Sequence, residues 1–392
     1  MNILLIHQHF NTPESGGAIR SYYLASALVN KGHRVTVITS GACSQGRHDT
    51  VEGIEVVYLA IPYNNRFNFL ARSLAFLRFA FAAVRAAAPY RHYDFCYAIS
   101  VPLTVGWCAQ WLKWRYGMPY WFEVGDLWPD APIELGFIRN RLFKGFLRRA
   151  EASIYRGAFG VVALSEPIRR AVLGKVPGCR VELIPNMADC DFYTPQTKDP
   201  NLETRWGKAG NFVIAYIGAL GMANGLHHLI ACALAAQRSN LPVTLLVCGD
   251  GAMLDELKAS VAHQELSNVV FTGFVNRDGV REIMKETDAV FVSYLPSPIL
   301  ETGCPNKYFD GLASGKLIIV NFGGWIRTET EQAGCGVFVD QSDPHAFVRQ
   351  LEPFIRDPSR LAEAQRRARH LGEERYSRRQ LGDDFAALFA SS

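Results

Sequence analysis

The sequence predicts an α/β protein made of two doubly wound parallel sheets that face each other across a cleft. Three observations carry this. Apolar runs of strand length alternate with helix-period stretches, and strand–helix–strand repetition implies parallel sheets covered on both faces. The alternation pauses in one turn-rich segment, "IPNMADCDFYTP" (184–195), and then starts again. The chain's 392 residues also exceed one ordinary core and suit two or three domains.

The elements follow in order. "NILLIH" (2–7) reads as a buried strand, Gly16-Gly17 as a turn, and 18–31 as a helix closed by Lys31-Gly32. "RVTVIT" (34–39), "IEVVYLA" (54–60), "YDFCYAIS" (93–100), "PYWFEV" (119–124), "FGVVAL" (159–164) and "RVELIP" (180–185) continue the strands. Helix-compatible stretches cover 66–88, 103–116 and 139–157. After the pause come "FVIAYIG" (212–218), "VTLLVCG" (243–249), "NVVFTG" (268–273), "AVFVSY" (289–294) and "LIIVNF" (317–322), and 343–390 is charged and helical. The expected division is 1–190, 191–375 and a C-terminal helix, 376–392, returning to the first domain. Such sheets bind ligands at the carboxyl ends of their strands, so two of them place a site between the domains.

Composition narrows the class. With 49% hydrophobic and 20% charged residues the chain has ample core material for a soluble globular protein. The net charge of +4 hides an asymmetry: residues 1–190 carry 21 Lys+Arg against 13 Asp+Glu (+8), and the remainder 20 against 24 (−4). That favours an anionic partner for the first half. Nine cysteines stand singly without a C-x-x-C pair, neither a disulfide framework nor a zinc pattern, which fits a reducing cytoplasm. "MNILLIHQHF" lacks the basic start of a signal peptide, and no run of 18 uncharged apolar residues occurs, so a cytoplasmic protein without a spanning helix is expected.

Four segments could carry chemistry. "HFNTPESGGAIR" (9–20) holds Gly16, Gly17 and Arg20; "GALGMANGL" (218–226) holds Gly218 and Gly221; "CGDGAM" (248–253) holds Gly249 and Gly251. Glycines where a strand meets a helix let backbone N–H groups approach a phosphate. Ordinary turn chemistry explains them equally well, and none matches a Walker loop. The fourth is "ETGCPNKYFDGLASGK" (301–316). Here Thr302, Gly303 and Asn306 form a turn, Lys307 supplies a cation at a helix start, and Asp310 follows one turn later. A nucleoside diphosphate needs a nest of donors for its phosphates and a carboxylate for two ribose hydroxyls. A solvated Lys/Asp pair on a surface turn is the competing reading.

The order of these parts resembles the GT-B glycosyltransferases, specifically the large retaining family 4, over nearly the whole chain. The matching features are the early Gly16-Gly17 loop, the Pro185-Asn186 turn before the linker, "GDG" (249–251), "F-x-G" (271–273), and "DGLASGK" (310–316) beside the family's E-x7-E-A-M-A-x-G. "DLWPDAPIELG" (126–136) resembles a segment of the branch that builds bacterial surface polysaccharides such as O-antigen, capsule or exopolysaccharide. The resemblance implies two Rossmann-like domains, the first binding an acceptor and the second a nucleotide sugar, UDP-linked by preference and GDP-linked otherwise. It implies transfer to a lipid-linked or growing glycan with retention of configuration, and neither cofactor nor metal.

The departures from the family pattern define what the structure must resolve. Asp310 stands at the second family glutamate, and the first falls on Thr302, so a one-residue shift would restore Glu301. Ala219 and Asn224 occupy the positions of the family's basic pair, which leaves Lys307, then Arg20, to hold the diphosphate. Charge grows on that leaving group as the sugar bond breaks, so N–H groups and Lys307 would stabilise the transition state. "DCD" (189–191) matches a metal-binding D-x-D, but it sits in the linker. Asp126, with Glu123 beside it, is the candidate to take the acceptor's proton, and His7 and His9 leave the first strand toward the same cleft.

Residues 66–91 interleave Arg66, Arg72, Arg78, Arg85 and Arg91 with Phe67, Phe69, Leu70, Leu74, Phe76, Leu77, Phe79 and Phe81, and 139–149 reads "RNRLFKGFLRR". A basic, aromatic amphipathic helix suits an anionic membrane surface. Core packing with snorkelling arginines is the alternative. No nucleic-acid reading motif accompanies the charge. Two other functions share the architecture: a nucleotide-sugar epimerase, and a non-catalytic GT-B partner subunit.

Overall fold

The structure is a computed structural model that describes residues 1–41, 46–63, 67, 69–196, 198 and 210–390. Arg66 lies outside the described residues, as do the side chains of Phe69 and Leu70. The first sheet has eight strands: β1 (Asn2–Ile6), β2 (Arg34–Gly41), β3 (Arg47–Val51), β4 (Ile54–Ala60), β5 (Phe95–Ile99), β6 (Tyr120–Val124), β7 (Gly160–Ala163) and β8 (Val181–Leu183). Their order is β3-β4-β2-β1-β5-β6-β7-β8. The second has six: β9 (Phe212–Ile217), β10 (Val243–Cys248), β11 (Val269–Gly273), β12 (Ala289–Val292), β13 (Leu317–Val320) and β14 (Gly336–Phe338), ordered β11-β10-β9-β12-β13-β14.

Every named pairing is parallel except β3 with β4. Parallel strands are buried on both faces and read as continuous apolar runs; Ile3 to Ile6 in β1 are wholly buried. The sequence did not announce β3, because "RHDTV" is exposed and polar. It is placed by a two-residue hairpin turn at Glu52-Gly53, both at positive φ (46° and 81°), the backbone of a primed turn.

Helices α1 (Arg20–Asn30), α2 (Phe69–Ala86), α3 (Thr104–Tyr116), α4 (Asp130–Glu134), α5 (Arg141–Gly157) and α6 (Glu166–Lys175) accompany the first sheet. The second carries α7 (Leu226–Arg238), α8 (Leu254–His263), α9 (Arg277–Glu286), α10 (Asn306–Ala313) and α11 (Trp325–Ala333). The chain closes with α12 (Pro344–Arg356), α13 (Pro358–Arg375) and α14 (Arg378–Ala390). Of these, α14 packs back on the first sheet: Phe385 lies edge-on to Tyr97 with ring centroids 4.8 Å apart, and Lys31 pairs with Asp383 at 2.6 Å. Where the chain passes between the sheets it does so twice, side by side. The Ala188 N–H donates to Tyr376 O at 2.7 Å, and the Arg378 N–H to Ala188 O at 3.1 Å.

Strand order reverses between β1 and β5 in one sheet and between β9 and β12 in the other. The loops leaving these strands bound the crevice in which doubly wound sheets bind ligands.

Candidate functional site

A cleft of about 1150 Å³ lies between the sheets and is lined from both sides. On the second-sheet side the loops after β9 and β10 are laced together. The Gly218 N–H donates to Cys248 O at 2.9 Å and the Leu220 N–H to Asp250 O at 3.0 Å. Glycine is obligatory at 249, where φ is 148° and a Cβ would sit 1.9 Å from Gly218 O. This close approach brings Gly218, Gly249 and Gly251 to the cleft wall together.

Helix α10 starts at the same wall without a side-chain cap, and Pro305, Asn306 and Lys307 line the cleft there. Lys307 is buried. Its Nζ donates to Tyr216 Oη at 3.3 Å and Asn224 Oδ1 at 3.4 Å, and lies 4.5 Å from the Tyr216 ring centroid. No carboxylate pairs with it among the described residues, and desolvation pulls its pKa down to about 7. Asn224 thus accepts from this lysine. One turn along, Asp310 also lines the cleft. Burial raises its pKa to about 7, opposed by Arg277 and reinforced by Asp189.

On the first-sheet side, Asp126 leaves β6 and opens onto the cleft solvent, yet enough protein surrounds it that desolvation raises its pKa. Its negative charge is felt by Tyr294, whose ring lies 5.6 Å from Lys307 Nζ, so acid and cation flank one tyrosine across the cleft. Gly17 lines the cleft. Gly16 is outside the lining, and a Cβ there would come within 3.4 Å of Asn276 Cα in the second half of the chain.

Several candidates stand elsewhere than the sequence suggested. Arg20 reaches the cleft but its guanidinium is engaged, donating to Glu123 at 3.0 and 2.9 Å and to the Ile184 carbonyl at 2.8 Å. It braces the Pro185-Asn186 turn and neutralises Glu123, which also accepts from Tyr97 Oη at 2.5 Å. Glu301, Thr302 and Gly303 do not line the cleft. A 3₁₀ turn over Leu300–Thr302 turns Glu301 to the Gly323-Gly324 bend, where a Cβ on Gly323 would meet its Oε1 at 2.9 Å. The Thr302 carbonyl accepts from Ser165 Oγ at 2.6 Å, and the Gly303 carbonyl from Trp325 Nε1 at 2.9 Å. Gly221 is likewise outside the lining.

Sequence reasoning missed Arg277 at the head of α9. It pairs with Asp189, donates to Tyr23 Oη and stacks on Phe192 at 3.6 Å. Only its place four residues after the "F-x-G" turn marks it. The acids of "DCD" are engaged by arginines, Asp189 by Arg277 and Arg378, and Asp191 by Arg378 and Arg379. Among the described residues no group of three or more His, Cys, Asp or Glu is placed to hold a metal ion.

Two family models match, a glycosyl transferase 4-like domain over residues 15–187 and glycosyl transferases group 1 over residues 200–371. Curated relatives include a 2-deoxystreptamine glucosyltransferase of Streptomyces kanamyceticus, 24% identical over 39% of this chain and 41% of its own. Another is the putative teichuronic acid biosynthesis glycosyltransferase TuaH of Bacillus subtilis, 27% identical over 50% of this chain and 49% of its own. The chain thus spans about half the length of the curated relatives it matches, or less. Solved structures share the fold over the full chain. HepE of Anabaena with UDP and glucose has a TM-score of 0.70 at 20% identity, covering 100% of this chain and 99% of its own. WaaG, a glycosyltransferase involved in lipopolysaccharide biosynthesis, has 0.70 at 14%, with both chains covered to 100%. Sucrose-phosphate synthase from Thermosynechococcus elongatus has 0.75 at 17%, again with both chains covered to 100%. With both halves matched in order and the two facing sheets in place, the chain belongs to the GT-B glycosyltransferases, and family 4 fits its N-terminal domain.

Proposed function

We propose that this glycosyltransferase moves a hexosyl or N-acetylhexosaminyl group from a UDP-sugar to a lipid-linked or growing glycan, with retention, in assembly of a bacterial surface polysaccharide. The observation that carries the reading is Lys307: a buried ammonium without a carboxylate partner among the described residues, at an uncapped helix start beside the glycine loops. Burial disfavours such a charge unless an anion joins it. A diphosphate fits, held by Lys307 and the N–H groups at the start of α10, with Gly218 and Gly249 leaving room beside it and the ribose hydroxyls on Asp310.

In the transfer, the bond from the sugar C1 to the diphosphate oxygen breaks with its electron pair remaining on the diphosphate. The acceptor oxygen bonds to C1, and its proton passes to Asp126. Lys307 faces the charge that develops. UDP and glucose bound to HepE, and the roles of WaaG and TuaH, support the substrate class by analogy.

The reading extends to the inner face of the plasma membrane as docking surface. Helix α2 buries Phe76 and Phe79 but turns Leu74, Leu77 and Phe81 outward, and Arg78, Phe81 and Arg85 line one shallow groove. At the start of α5, Leu142 is 86% exposed, and Phe143 and Phe146 stack in the open with ring centroids 6.4 Å apart. Arg139, Arg141, Lys144, Arg148 and Arg149 surround them in sequence. No helix among the described residues is long and apolar enough to cross a membrane.

Thermal shift with UDP, GDP, ADP and NAD, without added metal, tests the donor site, because a ligand that binds the native state raises Tm by mass action. A selective rise with UDP is expected. A rise with GDP alone changes the donor, and no rise with any nucleotide favours the non-catalytic partner subunit. Epimerisation of free donor without transfer would overturn the reading.

A further inference from the structure

We infer that Tyr216 and Asn224 are positioning residues: with the ring of Tyr294 they form a neutral cradle that aims the Lys307 ammonium at the leaving diphosphate without cancelling its charge. This role rests on the transferase reading of the same cleft. The four side chains come from separate elements, Tyr216 from β9, Asn224 from a 3₁₀ turn over Met222–Asn224, Tyr294 from just after β12 and Lys307 from the first turn of α10. Lys307 Nζ lies 4.5 Å from the Tyr216 ring centroid and 5.6 Å from that of Tyr294. Its stem runs against Gly218, where a Cβ would come within 3.3 Å of Cε.

The acceptors are aimed. The Ala219 carbonyl accepts from Tyr216 Oη at 2.8 Å and from Asn224 Nδ2 at 2.9 Å, which fixes both as donors to it. Each keeps an oxygen that can accept, and both oxygens face Lys307 Nζ, at 3.3 and 3.4 Å. A second layer holds the walls of the cradle. Asn321, itself buried, donates to Ser293 Oγ at 2.9 Å, and Ser293 Oγ donates to the Asn224 carbonyl at 2.6 Å. Asn321 Oδ1 also accepts from the Tyr294 N–H at 3.1 Å, so one amide sets both sides.

Oxygen acceptors and ring faces both favour the protonated amine. A carboxylate would do so more strongly but would also cancel the charge that a diphosphate is to meet. Tyr216 and Tyr294 do not act as phenolates, because burial holds both hydroxyls well above the ordinary tyrosine range, reinforced at Tyr216 by Tyr294 and at Tyr294 by Asp126. Asp126 and Asp310 line the same cleft, yet neither pairs with Lys307. Two of the ammonium's three N–H bonds thus meet neutral oxygens. The third has no protein acceptor among the described residues, which leaves it for the anion.

Calorimetry of UDP binding to the full chain from pH 6 to 9 tests the cradle, each variant read against wild type so that ionisation of the nucleotide cancels. In wild type, affinity should fall with rising pH once Lys307 loses its proton. Tyr216→Phe keeps the ring and removes one acceptor, so the fall should begin about one pH unit lower, with affinity at pH 8 down about tenfold. Asn224→Asp puts a carboxylate in the same place. Its fall should begin about one unit higher, while affinity at pH 7 drops about tenfold because the new charge cancels the ammonium. A merely structural loss would weaken binding in both variants without moving the onset. Asn224 is half-buried in a short turn, so its variant keeps the test decisive if Tyr216→Phe fails to fold. Unmoved onsets in the folded variants, or wild-type affinity in Asn224→Asp, would overturn the cradle and leave the donor site standing. No UDP binding by wild type would instead fail the donor reading, and the cradle with it.

Discussion

Lys307 carries a cost that a bound anion relieves. Its pKa falls from the ordinary 10.5 to about 7 on burial, so the unfolded chain holds this proton more tightly than the native one. The penalty to the free protein is therefore full below pH 7 and fades as pH rises toward 10.5. Replacing the ammonium by a thioether of similar length should raise the melting temperature of ligand-free Lys307→Met, most at pH 6 to 7 and little near pH 10. The same variant should lose about 2 kcal/mol of UDP affinity, the order of one charged hydrogen bond. Wild type should take up protons when it binds UDP at pH 8.5, seen by calorimetry in buffers of different ionisation enthalpy. An unchanged UDP shift in Lys307→Met would remove this lysine from the site. At this scale the sequence was informative where chemistry is local and silent where it is not. Lys307 and Asp310 are three residues apart and declare a helix start. The pairing of Arg20 with Glu123 joins positions 103 residues apart, and no periodicity encodes it.

At the scale of elements, the fold class was legible because parallel strands are buried on both faces, so β1 and β12 read as unbroken apolar runs. The polar edge strand β3 gave no such signal. The placement of Glu301 hinged on the 3₁₀ turn over Leu300–Thr302, whose geometry turns one residue to the next bend and not to the cleft. The glycine loops were visible, but which glycine is obligatory emerges only from the contact between them. Gly249→Ala should cost about 3 kcal/mol or more, since it combines a clash with the Gly218 carbonyl and a φ that alanine resists. Gly174→Ala is the control: its Cβ would meet nothing within 4 Å inside α6, and a helical alanine should be neutral or stabilising. Urea denaturation of both variants checks this, and equal midpoints would refute the interlocked loops.

At the scale of the whole molecule, the charge asymmetry seen in the sequence has a surface to act on. Outward aromatic and basic residues on α2 and α5 predict sedimentation with phosphatidylglycerol vesicles that weakens in salt and in Arg78→Glu/Arg85→Glu. Equal sedimentation with phosphatidylcholine would argue against an electrostatic contribution. The double passage of the chain between the sheets bears on motion. Two crossings are zipped together at Ala188 and Tyr376–Arg378, next to Met187 and Asp189 of the cleft lining. Sliding or full separation of the halves would first require this zipped backbone to come apart, so the two sheets are tied at the crossing as a book is at its spine.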